Sequence, residues 1–227
     1  MKKLSGKIKL VIKKVLSLFQ FKYNNARPIK MEIEKIPDKN IINGMKKSLK
    51  NSESLLNEAL LLQSHKNFAR AYTLCQFSLE EQGKVQILFE LWIKRINGNQ
   101  IDYEQMNKNF INHKTKTKIS IDTEITFWET MKERTGYDWI DKIIDDREKL
   151  RLQISTFNNL KNESLYVSIK NDDFQSPEEV IGEEEYKNIF SDAYMRLGFS
   201  KNFVLAVEEH INKIAKLIKD DDENNNS

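Results

Sequence analysis

The chain has one cysteine, three prolines and seven glycines in 227 residues. Each scarcity excludes something. Cys75 alone cannot close an internal disulfide, so nothing points to an oxidising compartment, and a cysteine-rich zinc module is ruled out. His65, His113 and His210 are scattered, without the HExxH spacing of a metalloenzyme helix. No metal and no cofactor is therefore expected. A sheet-rich fold needs a turn signal about every 8–12 residues, more than so few glycines and prolines supply. There is no glycine-rich phosphate loop and no internal repeat. Long helices joined by a few loops remain, so the expected fold class is all-α and the expected location cytoplasmic.

What the chain does have is charge, at 31% of residues, and enough apolar material, at 39%, for one core. The net charge of +3 hides a gradient. Residues 1–50 hold 14 basic and 3 acidic side chains, residues 51–170 hold 17 of each, and residues 171–227 hold 6 basic and 14 acidic. A basic head and an acidic tail imply partners at one end, attraction between the ends, or simply solvated helix faces.

Residues 2–22 carry seven lysines and no acid, with Leu4, Ile8, Ile12, Val15 and Phe19 on one helical stripe. Lys13 and Lys14 break any run long enough to span a bilayer and spoil a signal-peptide core. This basic amphipathic helix, residues 1–22, either lies on an anionic membrane surface or packs its stripe on protein. Residues 23–38, with Pro28 and Pro37, read as a linker. A helical domain is expected over 39–218, followed by a disordered acidic tail at 219–227. Within the domain, helices are expected at about 39–63 and 66–96, the second stopped by Asn97-Gly98-Asn99. A short helix follows at about 102–113. The polar, basic stretch His113–Lys118 comes next, then a helix capped by Asp122, then one from about 138 to 158. Ser164–Ile169 is either a brief extended segment or a helix end. Pro177 opens a last helical region, interrupted near Gly198.

The helix over 66–96 holds the main site candidate. At about 100° per residue, Leu74, Phe77, Val85, Leu88 and Trp92 fall on the same side as Glu81. A carboxylate in an apolar stripe is costly unless paired or protonated, and Lys84 is its nearest local partner. Glu80–Lys84 reads as an ordinary surface pair, and Glu81 as either a functional or a structural carboxylate. Gly83 costs the helix about 1 kcal/mol relative to alanine, which implies that another backbone packs closely there. The stretch Asn112-His113-Lys114-Thr115-Lys116-Thr117-Lys118 is the second candidate. Histidine moves protons near neutral pH and lysines hold phosphates, although such a stretch is also compatible with a solvated loop.

These segments carry a family resemblance. Asn57-Glu58-Ala59-Leu60-Leu61-Leu62, Ala69-Arg70-Ala71-Tyr72 and Ser78-Leu79-Glu80-Glu81-Gln82-Gly83-Lys84 resemble the core signature of AbiV-type abortive-infection proteins, a branch of the HEPN-like helical proteins. His113-Lys114-Thr115-Lys116 matches the family's downstream His-x-x-Lys element, and Leu165-Tyr166-Val167 is similar to its later Leu-Tyr-Val segment. The similarity covers roughly residues 40–215. It implies a HEPN-like helical bundle, often a homodimer, that defends bacteria against phage, in response to a phage-encoded trigger protein. Many HEPN-like proteins are metal-independent ribonucleases with an Arg-x4-6-His motif. This sequence departs from that motif, because no arginine lies five to seven positions before any histidine. Lys108 is the nearest basic stand-in, and lysine lacks arginine's bidentate fork. In the enzymatic reading, His113 is the acid/base group on a ribose 2′-hydroxyl. Lys116 and Lys84 stabilise phosphate charge, Glu81 orients them, and Lys108, Lys114 and Lys118 hold RNA. The alternative is a non-catalytic helical protein that binds a phage or translation component.

Overall fold

The computed structural model describes residues 33–225, with side chains through residue 210 and at 213. The basic helix expected at 1–22 and most of the 23–38 linker lie outside the described residues. After a single 3-10 turn at Ile33–Lys35 come eight helices: α1 (Asp38–Ser64), α2 (Phe68–Ile96), α3 (Tyr103–Ile111), α4 (His113–Thr135), α5 (Trp139–Leu152), α6 (Ile154–Glu163), α7 (Pro177–Val180) and α8 (Glu183–Asn225). The described fold is thus the expected all-α bundle. The strands β1 (Ser168–Lys170) and β2 (Asp173–Gln175) form an antiparallel hairpin between α6 and α7.

Burial follows the helical periodicity. On α1 the buried positions Ile41, Met45, Ser48, Ser52, Leu56 and Ala59 form one stripe. The helix stops in a Schellman turn: the Lys66 N–H bonds Gln63 O, the Asn67 N–H bonds Leu62 O, and Lys66 sits in the left-handed region at φ 60°. On α2 burial runs nearly all round, so this helix forms the axis of the bundle, packed by α1, α4 and α8. It ends in a second Schellman turn with Gly98 at φ 63°, where the Asn-Gly-Asn stop was expected.

Two apolar clusters divide α2 between them. One gathers Leu56, Tyr72, Cys75, Leu79 and Ile189, and the other gathers Ile41, Met45, Leu88, Leu91 and Val204. A polar layer separates them. Ser52 and Ser78 share a hydroxyl hydrogen bond of 2.7 Å, and Gln82 donates to Ser52 at 3.0 Å and to the Ala193 carbonyl at 2.9 Å. Directional bonds in an otherwise apolar interface fix the register of α1, α2 and α8, which greasy packing alone leaves loose.

Several boundaries differ from the sequence expectation. The basic stretch at 113–118 is the opening of α4, because Asn112 caps that helix by accepting the Thr115 N–H at 3.0 Å, so Asp122 lies inside it. The helix expected over 138–158 breaks at Gln153 into α5 and α6. Ser164–Ile169 passes from a turn into β1, and Asn171 and Asp172 adopt φ of 53° and 63° to make the two-residue turn. Gly198 does not interrupt α8. That helix continues to Asn225, through most of the segment expected as a tail.

Candidate functional site

The geometry centres on Glu80 rather than Glu81. Thr73, Gln76, Glu80 and Gly83 recur at spacings of three and four, a polar and small stripe on which α4 and α6 lie. At Gly83 the α4 backbone comes so near that a Cβ would sit 2.2 Å from the Lys116 carbonyl oxygen. Glycine is what lets α4 settle there, as the close-packing expectation required. The neighbour is this chain's own α4, so Gly83 gives no support to an interface between copies.

With α4 pressed against α2, its first turn delivers two side chains to Glu80. His113 Nδ1 lies 2.5 Å from Glu80 Oε2, and Lys116 Nζ lies 3.1 Å from the same oxygen. The α6 helix supplies the third partner, Lys161 Nζ, at 2.7 Å from Oε1. Lys161 is held in turn by its own helix end, where Ser164 Oγ donates to the Lys161 carbonyl at 2.7 Å and shares a 2.6 Å hydrogen bond with Thr73. Glu80, Lys116 and Lys161 are all buried. Burial by itself would raise the Glu80 carboxyl. Hydrogen bonds from Lys161 and His113, with the charges of Lys116 and Lys161, overcome that and hold it below the ordinary glutamate range.

An ionised carboxylate can only accept hydrogen bonds, so Nδ1 of His113 carries the proton. In the neutral ring Nε2 is then the basic nitrogen. The His113 side chain is 58% exposed, so one edge of the ring is locked to a buried anion while the rest meets solvent. Lys114 is exposed beside it, lines the same narrow crevice, and makes no ion pair among the described residues. The arrangement can orient an imidazole for proton transfer and place one unpaired cation next to it.

The other expected residues fall elsewhere. Glu81 and Lys84 form a half-buried local pair at 2.5 Å, with Lys84 Nζ 5.6 Å from the Phe110 ring centre. They do not join His113 and Lys116. Lys116 is committed to Glu80 rather than open to a phosphate. Lys108 pairs with Glu104 on the surface of α3 at 2.6 Å, and Lys118 pairs with Asp122. Glu80–Lys84 is not a surface pair. The missed residues are Glu80 and Lys161. The stripe of Thr73, Gln76 and Gly83 marks the Glu80 face, because a polar residue on the small-residue side of a helix buried all round must meet a polar neighbour. Nothing local marks Lys161.

A second buried ion network lies between α4, α5 and α8. Arg147 bridges Glu124 at 2.7 Å and Asp192 at 2.9 Å, and Arg196 Nε lies 3.2 Å from Asp192 and 3.4 Å from Glu124. Its two carboxylates balance its two guanidinium groups, and it ties three helices together. Among the described residues, no three His, Cys, Asp or Glu side chains gather as a metal-ligand set, and no helix is long and apolar enough to cross a membrane.

No curated protein and no solved structure matches the chain at a significant level. The AbiV model of the HEPN proteins, HEPN_AbiV, matches residues 40–197, well over half the sequence. That span contains the whole Glu80 cluster, from Thr73 on α2 through His113 and Lys116 to Lys161 and Ser164. The chain belongs to the AbiV branch of the HEPN family, whose members are associated with abortive-infection-type defence.

Proposed function

We propose that this protein is an abortive-infection effector that acts in the cytoplasm on RNA, with His113 as its proton-transfer group. The observation that carries the reading is the His113–Glu80 contact of 2.5 Å, made by a ring that stays 58% exposed. A buried, charge-clamped carboxylate sets the tautomer and orientation of a solvent-facing base, an arrangement suited to general acid–base chemistry. In the proposed step, Nε2 removes the proton of a ribose 2′-hydroxyl. The 2′-oxygen attacks the adjacent phosphorus and the bond to the 5′-oxygen breaks. The products are a 2′,3′-cyclic phosphate and a 5′-hydroxyl that takes a proton from water. Lys114 takes over the phosphate-facing role expected of Lys116 and Lys84, since both of those are engaged with carboxylates. The protein is read as a homodimer whose response a phage-encoded protein triggers.

A second reading has its own observation. The crevice beside His113 is nearly filled, at about 10 Å³, which suits a structural clamp within a non-catalytic interaction protein. Phage plating with RNA integrity followed after infection separates the two. His113→Ala is expected to lose protection and RNA cleavage while its circular dichroism matches wild type. Full protection by a folded His113→Ala protein would discard the catalytic reading in favour of the interaction protein.

A further inference from the structure

A groove of about 660 Å³ runs between α2 and α4, apart from His113, and α8 contributes Phe203 to it. Its α2 positions, 86, 89, 90 and 93, and its α4 positions, from 119 to 130, each recur at helical spacing. Two helices thus turn one face each toward an open channel. At 1.5 Å per residue the α4 wall is about 16 Å long, or about three helical turns. The floor is apolar, made by Phe89, Ile93, Ile119, Phe127 and Phe203.

The charge of the lining is one-sided. It holds Glu90 and Asp122 and no lysine, arginine or histidine, in a chain of net charge +3. Gln86, buried in the wall, has an Oε1 that accepts no hydrogen bond among the described residues. Asp122 is paired with Lys118 one helical turn away and with Arg151 of α5 at 3.6 Å. Glu90 is paired with Lys94, one helical turn away on the same helix, and such an i,i+4 pair contributes a few tenths of a kcal/mol and exchanges for another cation. A second copy laid on this face by twofold symmetry would bring the same two acids, and no basic lining residue, to the other side of the seam.

We propose that this groove is a docking site for a basic amphipathic helix of a partner protein, about three turns of it. Apolar side chains at i, i+3/i+4 and i+7 enter the channel, and flanking lysines or arginines meet Glu90 and Asp122. The inference does not depend on the His113 chemistry. It is tested by fluorescence anisotropy on the full chain with two synthetic amphipathic peptides that share a leucine stripe, one flanked by lysines and one by glutamates. The lysine peptide is expected to bind, to weaken as salt is raised, and to lose affinity roughly tenfold or more on Thr126→Arg, which puts a bulky cation on the exposed wall. The glutamate peptide is expected not to bind. Glu90→Lys, a second exposed change, is expected to weaken the lysine peptide in the same direction. Equal binding of both peptides, binding of neither, or indifference to Thr126→Arg in a protein of unchanged helical content overturns the proposal. Dissociation of a homodimer by Thr126→Arg, seen in sedimentation, also overturns it and assigns the face to a second copy.

Discussion

Glu80 accepts from three cationic or hydrogen-bonding side chains on two other helices while lying almost wholly out of water. Replacing it with glutamine leaves Lys116 and Lys161 buried without a counter-charge, a kind of change that costs about 3–5 kcal/mol. The pH dependence has a definite sign. Because the folded-state carboxyl is held below its ordinary range, its contribution is fully present above the unfolded value of about 4.3. That contribution disappears as pH falls through the lower folded value. Glu80→Gln is therefore expected to lower stability near neutrality and to flatten the acid limb of the stability profile. Urea unfolding at a series of pH values measures both, and an acid limb as steep as that of wild type would contradict the assignment. Cys75 is the opposite case at this scale. Burial pushes its thiol up to about 12, which marks it as a core side chain rather than a nucleophile.

Among the elements, the pairing of α2 with α4 decides whether the site exists. Gly83 is the point of closest approach, and the atom a Cβ would strike belongs to backbone, which cannot rotate away. Gly83→Ala would raise intrinsic helix propensity by about 1 kcal/mol. Overpacking costs typically about 1–3 kcal/mol and sometimes more, and a contact this short lies at the upper end. The net expectation is a destabilised protein in which α4 shifts outward and His113 leaves Glu80. Thermal unfolding should show the loss, and the His113 ring nitrogen signals in NMR should lose the mark of a protonated, carboxylate-bound Nδ1. A Gly83→Ala protein as stable as wild type, with its histidine signals unmoved, would mean that the helices are not this close. Few sequence features spoke for this pairing as directly as Gly83, since a glycine inside a long helix otherwise weakens it to no purpose.

For the molecule as a whole, two electrostatic clamps tie the helices together, one of them on the α2 axis. The Glu80 cluster ties α4 and α6 to α2, and the Arg147 network joins α4, α5 and α8. Arg147 belongs to the helix that makes most of its packing with α4, so removing its charge should loosen one side of the bundle and leave the two buried carboxylates, Glu124 and Asp192, to share Arg196 alone. Arg147→Met is expected to destabilise by about 3–5 kcal/mol in denaturant unfolding. The double change Arg147→Met with Glu124→Gln should recover part of that loss, and strict additivity of the two would argue against a coupled network. The helices themselves were legible from period and punctuation, as at the Asn-Gly-Asn stop after α2, whereas the one core that the apolar content implied is two clusters parted by a polar layer. The family was legible from Glu80 through Lys84 and from His113 through Lys116. Those are local properties, set by side-chain spacing along one helix and by backbone preferences at its ends. Which of two adjacent glutamates faces the histidine was decided only by tertiary structure. A rotation of about 100° per residue separates an apolar stripe from a polar one, and both are buried when helices pack on every side. Lys161 was decided the same way, since it lies 81 residues beyond Glu80, and only the packing of α6 on α2, latched by Thr73 and Ser164, brings the two charges together.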